Sequence, residues 1–186
     1  TLLKVHATDA AQRASTPAGL VGIDTLFKLM SNQLLPLAPP GSGLPPGKIE
    51  MPQRWTKIYL TSVPVLFDGT LMFNLRYGIS HLVDFEQIAP DSTIWDACRA
   101  MGMTPSLLEN EDFDVGTAGE RLKMSDRLIV QIVRALISRV DVVMMAGVID
   151  ILGEKQSRQV LQVLSDYIDD GGLPGMYEGI PQMHRK

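Results

Sequence analysis

Residues 66–78 read Leu66-Phe-Asp-Gly-Thr-Leu-Met-Phe-Asn-Leu-Arg-Tyr-Gly78, and the reading of the whole chain turns on this stretch. Leu71, Leu75 and the aromatic side chains fall on one side of a short helix over 70–77. Residues 62–67 (Ser62-Val-Pro-Val-Leu-Phe67) form a loop in front of it, and Lys57-Ile-Tyr-Leu60 reads as a strand before that. On the other side, Thr93-Ile-Trp-Asp96 has the spacing of a capping box and opens a helix through Ala100.

Further along, residues 105–110 read as a short helix. Residues 122–138 are the clearest helix, with Leu128, Ile129, Ile132, Val133, Leu136 and Ile137 apolar and Asp126 in the first turn, where the helix dipole favours an anion. Val142-Val-Met-Met-Ala146 is a continuous apolar run, as a doubly covered parallel strand would be. Residues 154–168 are amphipathic at helical spacing through Val160, Leu161, Val163, Leu164, Tyr167 and Ile168. At the N-terminal end, Leu2, Leu3 and Val5 suit a short strand. Gly19-Leu-Val-Gly22 then turns into a helix carried by Leu26, Leu29, Met30, Leu34 and Leu35, which stops before Pro36. The prolines and glycines concentrate at 36–52 and 171–181, which read as loops. Strands alternating with helices predict an α/β fold with a mostly parallel sheet.

Composition narrows the classes. The 186 residues suit one compact domain, and 45% apolar residues supply a core. Seventeen basic against 21 acidic side chains argue against a nucleic-acid binder with a general basic surface. One cysteine, Cys98, excludes an intramolecular disulfide framework and a multi-cysteine zinc site. The longest uncharged stretch, residues 29–47, carries Pro36, Pro39, Pro40, Pro45 and Pro46 and is no spanning helix. No signal-peptide pattern is visible at the N-terminus. Any membrane role is expected to run through a partner.

Residues 66–78 resemble the segment that follows the Q-loop in exporter-type ATP-binding cassette (ABC) domains, L-F-x-G-T-(I/L)-x-x-N-(I/L)-x-(Y/F)-G. Ile94-Trp-Asp-Ala-Cys98 resembles the start of that family's helical subdomain. Val115-Gly-Thr-Ala-Gly-Glu-Arg-Leu122 resembles the approach to its signature motif, and Arg134-Ala-Leu136 with Asp141-Val-Val-Met-Met145 the helix and Walker B strand that follow. Asp150-Ile-Leu152 stands where the D-loop would be. The resemblance covers roughly residues 19–168. It implies a P-loop NTPase-like α/β fold, with a mostly parallel sheet, flanking helices and an inserted helical subdomain. The chain 1–186 would then be a single domain: 19–62 and 115–170 the core, 63–114 the Q-loop-following and helical subdomain, and 171–186 a tail.

The chemistry of the family does not come with the resemblance. A Walker A loop needs G-x-x-x-x-G-K-(S/T), whose backbone amides, lysine and hydroxyl hold phosphates and Mg²⁺. The best counterpart is Gly19 and Gly22 followed by Asp24 and Thr25. The Gly-Lys pair is missing, and Asp24 would repel a triphosphate. Thr1-Leu-Leu-Lys4 is the alternative, as the end of a truncated loop, at a long spacing from Ser62. Gly47-Lys48 is followed by Ile49, and Pro45 and Pro46 remove amides from any cradle. Ser62 stands at the Q-loop glutamine position. The signature L-S-G-G-Q reads Leu122, Lys123, Met124, Ser125 and Asp126, without its glycines. The Walker B aspartate and glutamate positions hold Ala146 and Gly147, which neither coordinate metal nor accept a proton. Asp150 lies three residues beyond the strand, and Asp141 at its opposite end. His184 stands near the switch-histidine spacing, but in a stretch that reads poorly as strand.

These losses predict no catalytic residues, no metal site and no resident cofactor. The resemblance therefore implies an ABC-ATPase-like chain whose fold outlasts its activity. Its role would be structural or scaffolding, in a membrane-associated assembly of other protein subunits, intracellular and peripheral to the membrane. Leu66, Phe67, Gly69, Thr70, Asn74 and Tyr77 are the candidate partner contacts. The alternative is a nucleotide-binding domain, or a fragment of one, of an ABC exporter-type transporter. Such a domain would use ATP and Mg²⁺ and face a transmembrane domain or a second ABC domain. A different enzyme class finds no constellation: His6 and His81 have no motif around them, and Glu109, Glu111, Asp112 and Asp114 read as a solvated acidic face.

Overall fold

A computed structural model of the chain describes residues 25–34, 41, 52, 54–78, 89–138 and 140–176. The expectations for Thr1 to Lys4, Gly19, Gly22, Asp24, the 36–52 linker apart from residues 41 and 52, and the three histidines lie outside the described residues. The chain divides into two compact units, one formed by Thr1–Thr61 with Val140–Gly147 and the other by Ser62–Arg139 with Val148–Lys186.

In the first unit, β1 (Lys57–Leu60) pairs in parallel with β2 (Val142–Met145), Lys57 opposite Val142 and Leu60 opposite Met145. Parallel pairing requires a long crossover, and 62–139 lies between the two strands in sequence. The ladder is closed at one end by Ala146 N–H donating to the Leu60 carbonyl at 3.2 Å. At the other end, the Asp141 carboxylate accepts from the backbone N–H of Thr56 at 2.8 Å and from its hydroxyl at 2.9 Å. Asp141, read as standing at the wrong end for metal, is thus a strand clasp. The Thr56 amide bond, then the Thr56 hydroxyl, holds its carboxyl below the usual carboxylate range. Leu60 and Met144 are the buried strand residues. Residues 25–30 are helical, and Phe27 meets Tyr59 edge-on at 6.1 Å.

The second unit is helical. Its described elements are α1 (Leu71–Arg76), α2 (Asp91–Ala100), α3 (Pro105–Leu108), α4 (Met124–Ile137) and α5 (Glu154–Asp170), with 3-10 turns at Thr117–Gly119 and Ile149–Ile151. The core is built on α4, which packs on α1 and α2. Its buried residues include Leu128, Ile129, Ile132, Val133, Leu136 and Ile137, the apolar set visible in the sequence. Leu71, Leu75, Ile94 and Cys98 are among the residues buried with it. Burial pushes the Cys98 thiol up to about 12. The longest described helix, α5, ends on Gly171 in the left-handed region (φ 71°), a conformation that glycine adopts without strain.

Two local expectations are corrected. The helix expected to stop before Pro36 ends at Met30, and Asn32 takes φ 62° in the turn that follows. Helix α2 starts at Asp91, behind Pro90, and makes no side-chain cap; Thr93 is a buried residue inside it. Pro90 takes the N-cap position in extended backbone (φ −63°, ψ 156°), so the helix begins upstream of the Thr-x-x-Asp pattern. Asp91 in the first turn instead pairs with Arg76 at the end of α1. Among the described residues, no helix is long and apolar enough to cross a membrane.

Candidate functional site

The stretch 62–78 forms a face of the second unit. Residues 63–66 alternate in burial: Val63 and Val65 are exposed, Pro64 and Leu66 buried. Gly69, Thr70 and Leu71 run against 113–115, with Leu71 N–H donating to the Phe113 carbonyl at 2.8 Å and Val115 N–H to the Gly69 carbonyl at 3.0 Å. Thr70 caps α1 by accepting from Phe73 N–H at 3.1 Å.

Asn74 is fully buried and closes the loop onto the helix. Its Oδ1 accepts from Phe67 N–H at 2.8 Å, and its Nδ2 donates to the carbonyls of Phe67 at 2.8 Å and Thr70 at 3.1 Å. A side-chain amide is the group that can satisfy a backbone donor and a backbone acceptor together. Arg134 of α4 braces the same segment. Its Nε donates to the Asn74 carbonyl at 2.8 Å and its Nη1 to the Val65 carbonyl at 3.1 Å, while its guanidinium lies 5.6 Å from the Tyr77 ring centre. Tyr77 stacks on Phe67 at 4.0 Å and meets Phe73 edge-on at 5.9 Å.

The outcome is an outward face with a built interior. Val63 is 69% exposed, Val65 62%, Phe73 48% and Tyr77 42%, apolar side chains of one stretch turned outward, and contiguous apolar surface marks interaction sites. Of the six residues singled out in the sequence, Tyr77 is exposed and Phe67, Gly69 and Thr70 are half-buried. Leu66 and Asn74 face inward and hold the others. Sequence reasoning missed Val63, Val65, Phe73 and Arg134; the alternation of valines around Pro64 was the available signal for the first two.

The nucleotide-site positions fall differently. Thr25 is exposed on the helical stretch of the first unit, Ser62 sits half-buried in a bend of the second, and Ala146 and Gly147 follow β2. Gly147 has φ 68°, a turn conformation that lets the chain leave the strand. Leu122 is buried, Lys123 is the exposed N-cap residue of α4, Met124 is 44% exposed and Ser125 half-buried. Asp126 is buried and committed: its carboxylate accepts from Thr104 N–H at 2.9 Å and from the Thr104 hydroxyl at 2.8 Å. Asp150 is exposed on a 3-10 turn. Magnesium-bound triphosphate needs oxygen ligands from the chain, and Ala146 and Gly147 offer no side-chain oxygen. The described residues contain no group of three His, Cys, Asp or Glu side chains that could hold a metal ion. Ala146 and Gly147 thus supply no side-chain ligand, and the described acids of the acidic stretch are exposed, Asp114 being engaged by Arg121 at 2.6 Å.

No family model matches the chain, and no curated protein matches its sequence. A solved structure described as a bacterial Atm1-family ABC exporter with ATP bound is similar over 57% of this chain, with 18% identity and a TM-score of 0.46. This chain spans 18% of the length of that exporter chain. At that score and identity the likeness decides neither fold nor function.

Proposed function

We propose that this chain is an ABC-ATPase-like domain that has lost its chemistry and serves as a structural subunit, docking other proteins through the face at 63–77. The reading of a P-loop-like α/β core rests on the resemblance of residues 66–78, 115–122 and 134–145 to exporter-type ABC domains. The observation that carries the docking role is the contrast within the 66–78 segment. Its buried half is hydrogen-bonded through Asn74 and braced by Arg134, while Phe73 and Tyr77, like Val63 and Val65, are exposed. A rigid apolar face on a segment without catalytic groups is suited to holding a neighbour. The partners would be other subunits of a membrane-associated assembly, this chain lying at the periphery.

The test is calorimetric titration of the purified chain with Mg-ATP, together with phosphate release. The reading predicts no saturable binding at concentrations where working ATPases saturate, on the order of micromolar to millimolar, and no turnover. Micromolar binding with hydrolysis would favour the nucleotide-driven transporter domain instead.

A further inference from the structure

The docking face contains a cation that nothing in the described structure neutralises. Arg134 spends its Nε and Nη1 on the Asn74 and Val65 carbonyls, which are neutral. Its Nη2 is buried without an acceptor and is not itself reached from the surface, so the charge it shares is unpaired from within. Among the described residues no carboxylate pairs with it, whereas Arg76, Arg99, Arg121 and Arg158 each pair with an acid. Asp68, next to the aromatic cluster in sequence, takes a hydrogen bond from Ala118 N–H at 3.3 Å. Burial pushes the Arg134 guanidinium's pKa below its ordinary value, as happens to a cation stripped of water with no anion beside it.

We propose that the partner segment seated on this face carries a carboxylate that faces Arg134, flanked by apolar side chains that cover Val63, Val65, Phe73 and Tyr77. This deepens the docking reading and rests on it. Charge complementarity argues for the occupant: an apolar cluster ringed on one side by a half-desolvated guanidinium is matched by an acidic apolar protein segment. A membrane surface fits less well, because lipid headgroups are gathered by clusters of basic residues, and among the described residues of this face Arg134 is joined by Arg76, which is paired with Asp91.

The experiment places a photo-cross-linking phenylalanine analogue at Phe73 of the full chain in its native cells and reads the captured peptide by mass spectrometry. Capture alone does not support the proposal. It requires an Asp or Glu within about one helical turn of the cross-linked residue. Arg134→Lys must also retain several-fold more cross-link than Arg134→Gln, since the lysine keeps the charge while both variants lose the fork. Arg134→Glu should lose about tenfold, and changing the captured acid to Lys should restore it. Melting curves of each variant report folding, and the charge-swap rescue separates a charge contact from loss of the brace. Equal capture by the Lys and Gln variants, a captured segment without an acid, or an adduct with lipid would overturn the proposal while leaving a docking face. No adduct at Phe73 or at Val63 would overturn the docking reading itself.

Discussion

Asn74→Ala tests whether the 66–78 segment is held as a single piece. The substitution removes three hydrogen bonds and leaves the Phe67 N–H and C=O without partners in a part-buried setting. The Thr70 carbonyl keeps a second donor, the Asn74 backbone N–H at 3.1 Å, so it is not orphaned. Two stranded backbone groups at about 1–2 kcal/mol each put the loss near 3 kcal/mol. For a helical unit of this size that is a fall in melting temperature of roughly 10 °C. Asn74→Asp should be at least as costly at neutral pH, because it keeps the acceptor for Phe67 N–H but turns a second oxygen toward two carbonyls. Thermal and urea melts followed by circular dichroism measure both. A loss below about 0.5 kcal/mol for Asn74→Ala, the range of an ordinary surface change, would refute the clasp.

Three further outcomes are expected. Asp126→Ala should destabilise the helical unit by about 2–3 kcal/mol through the stranded Thr104 amide, whereas Lys123→Ala at the neighbouring exposed position should change denaturant midpoints by under about 0.5 kcal/mol; equal effects would contradict the buried clasp. Ala118 is held at φ 53°, so Ala118→Gly should stabilise by about 0.5–1 kcal/mol in the same melts. Cys98, with its thiol raised from 9.0 to about 12, should resist a thiol reagent in the native chain and react on unfolding. Its linked contribution to stability is present below pH 9.0 and is lost as pH rises toward about 12, because the unfolded thiol ionises first. Rapid labelling of folded protein would contradict that burial.

Much of the second unit was legible because its helices obey a simple period. The apolar positions of α4 mark its span, whereas in α5 Val160 is buried and Leu161 is exposed; residues 71 and 75 of α1 are buried, but Phe73 and Tyr77, expected on the same side, face outward. The strand at Lys57–Leu60 and the run at Val142–Met145 were likewise found, and they pair in parallel. What escaped depends on partners distant in sequence. Nothing local to Asp126 says that Thr104 will claim its carboxylate, and nothing local to Arg134 says that it will reach Val65 across 69 positions. The capping pattern at Thr93 failed because Pro90 offered an earlier start. Asn74 was singled out as a contact, yet its amide is consumed internally; the outward side chains are its neighbours one residue before and three after.

The central claim concerns what the 63–77 face does, and imaging the native assembly that contains this chain tests it most directly. The account predicts another protein chain covering Val63, Phe73 and Tyr77, with no nucleotide held by this chain. That face bare to solvent, or a magnesium-bound triphosphate held by side chains of this chain, would contradict it.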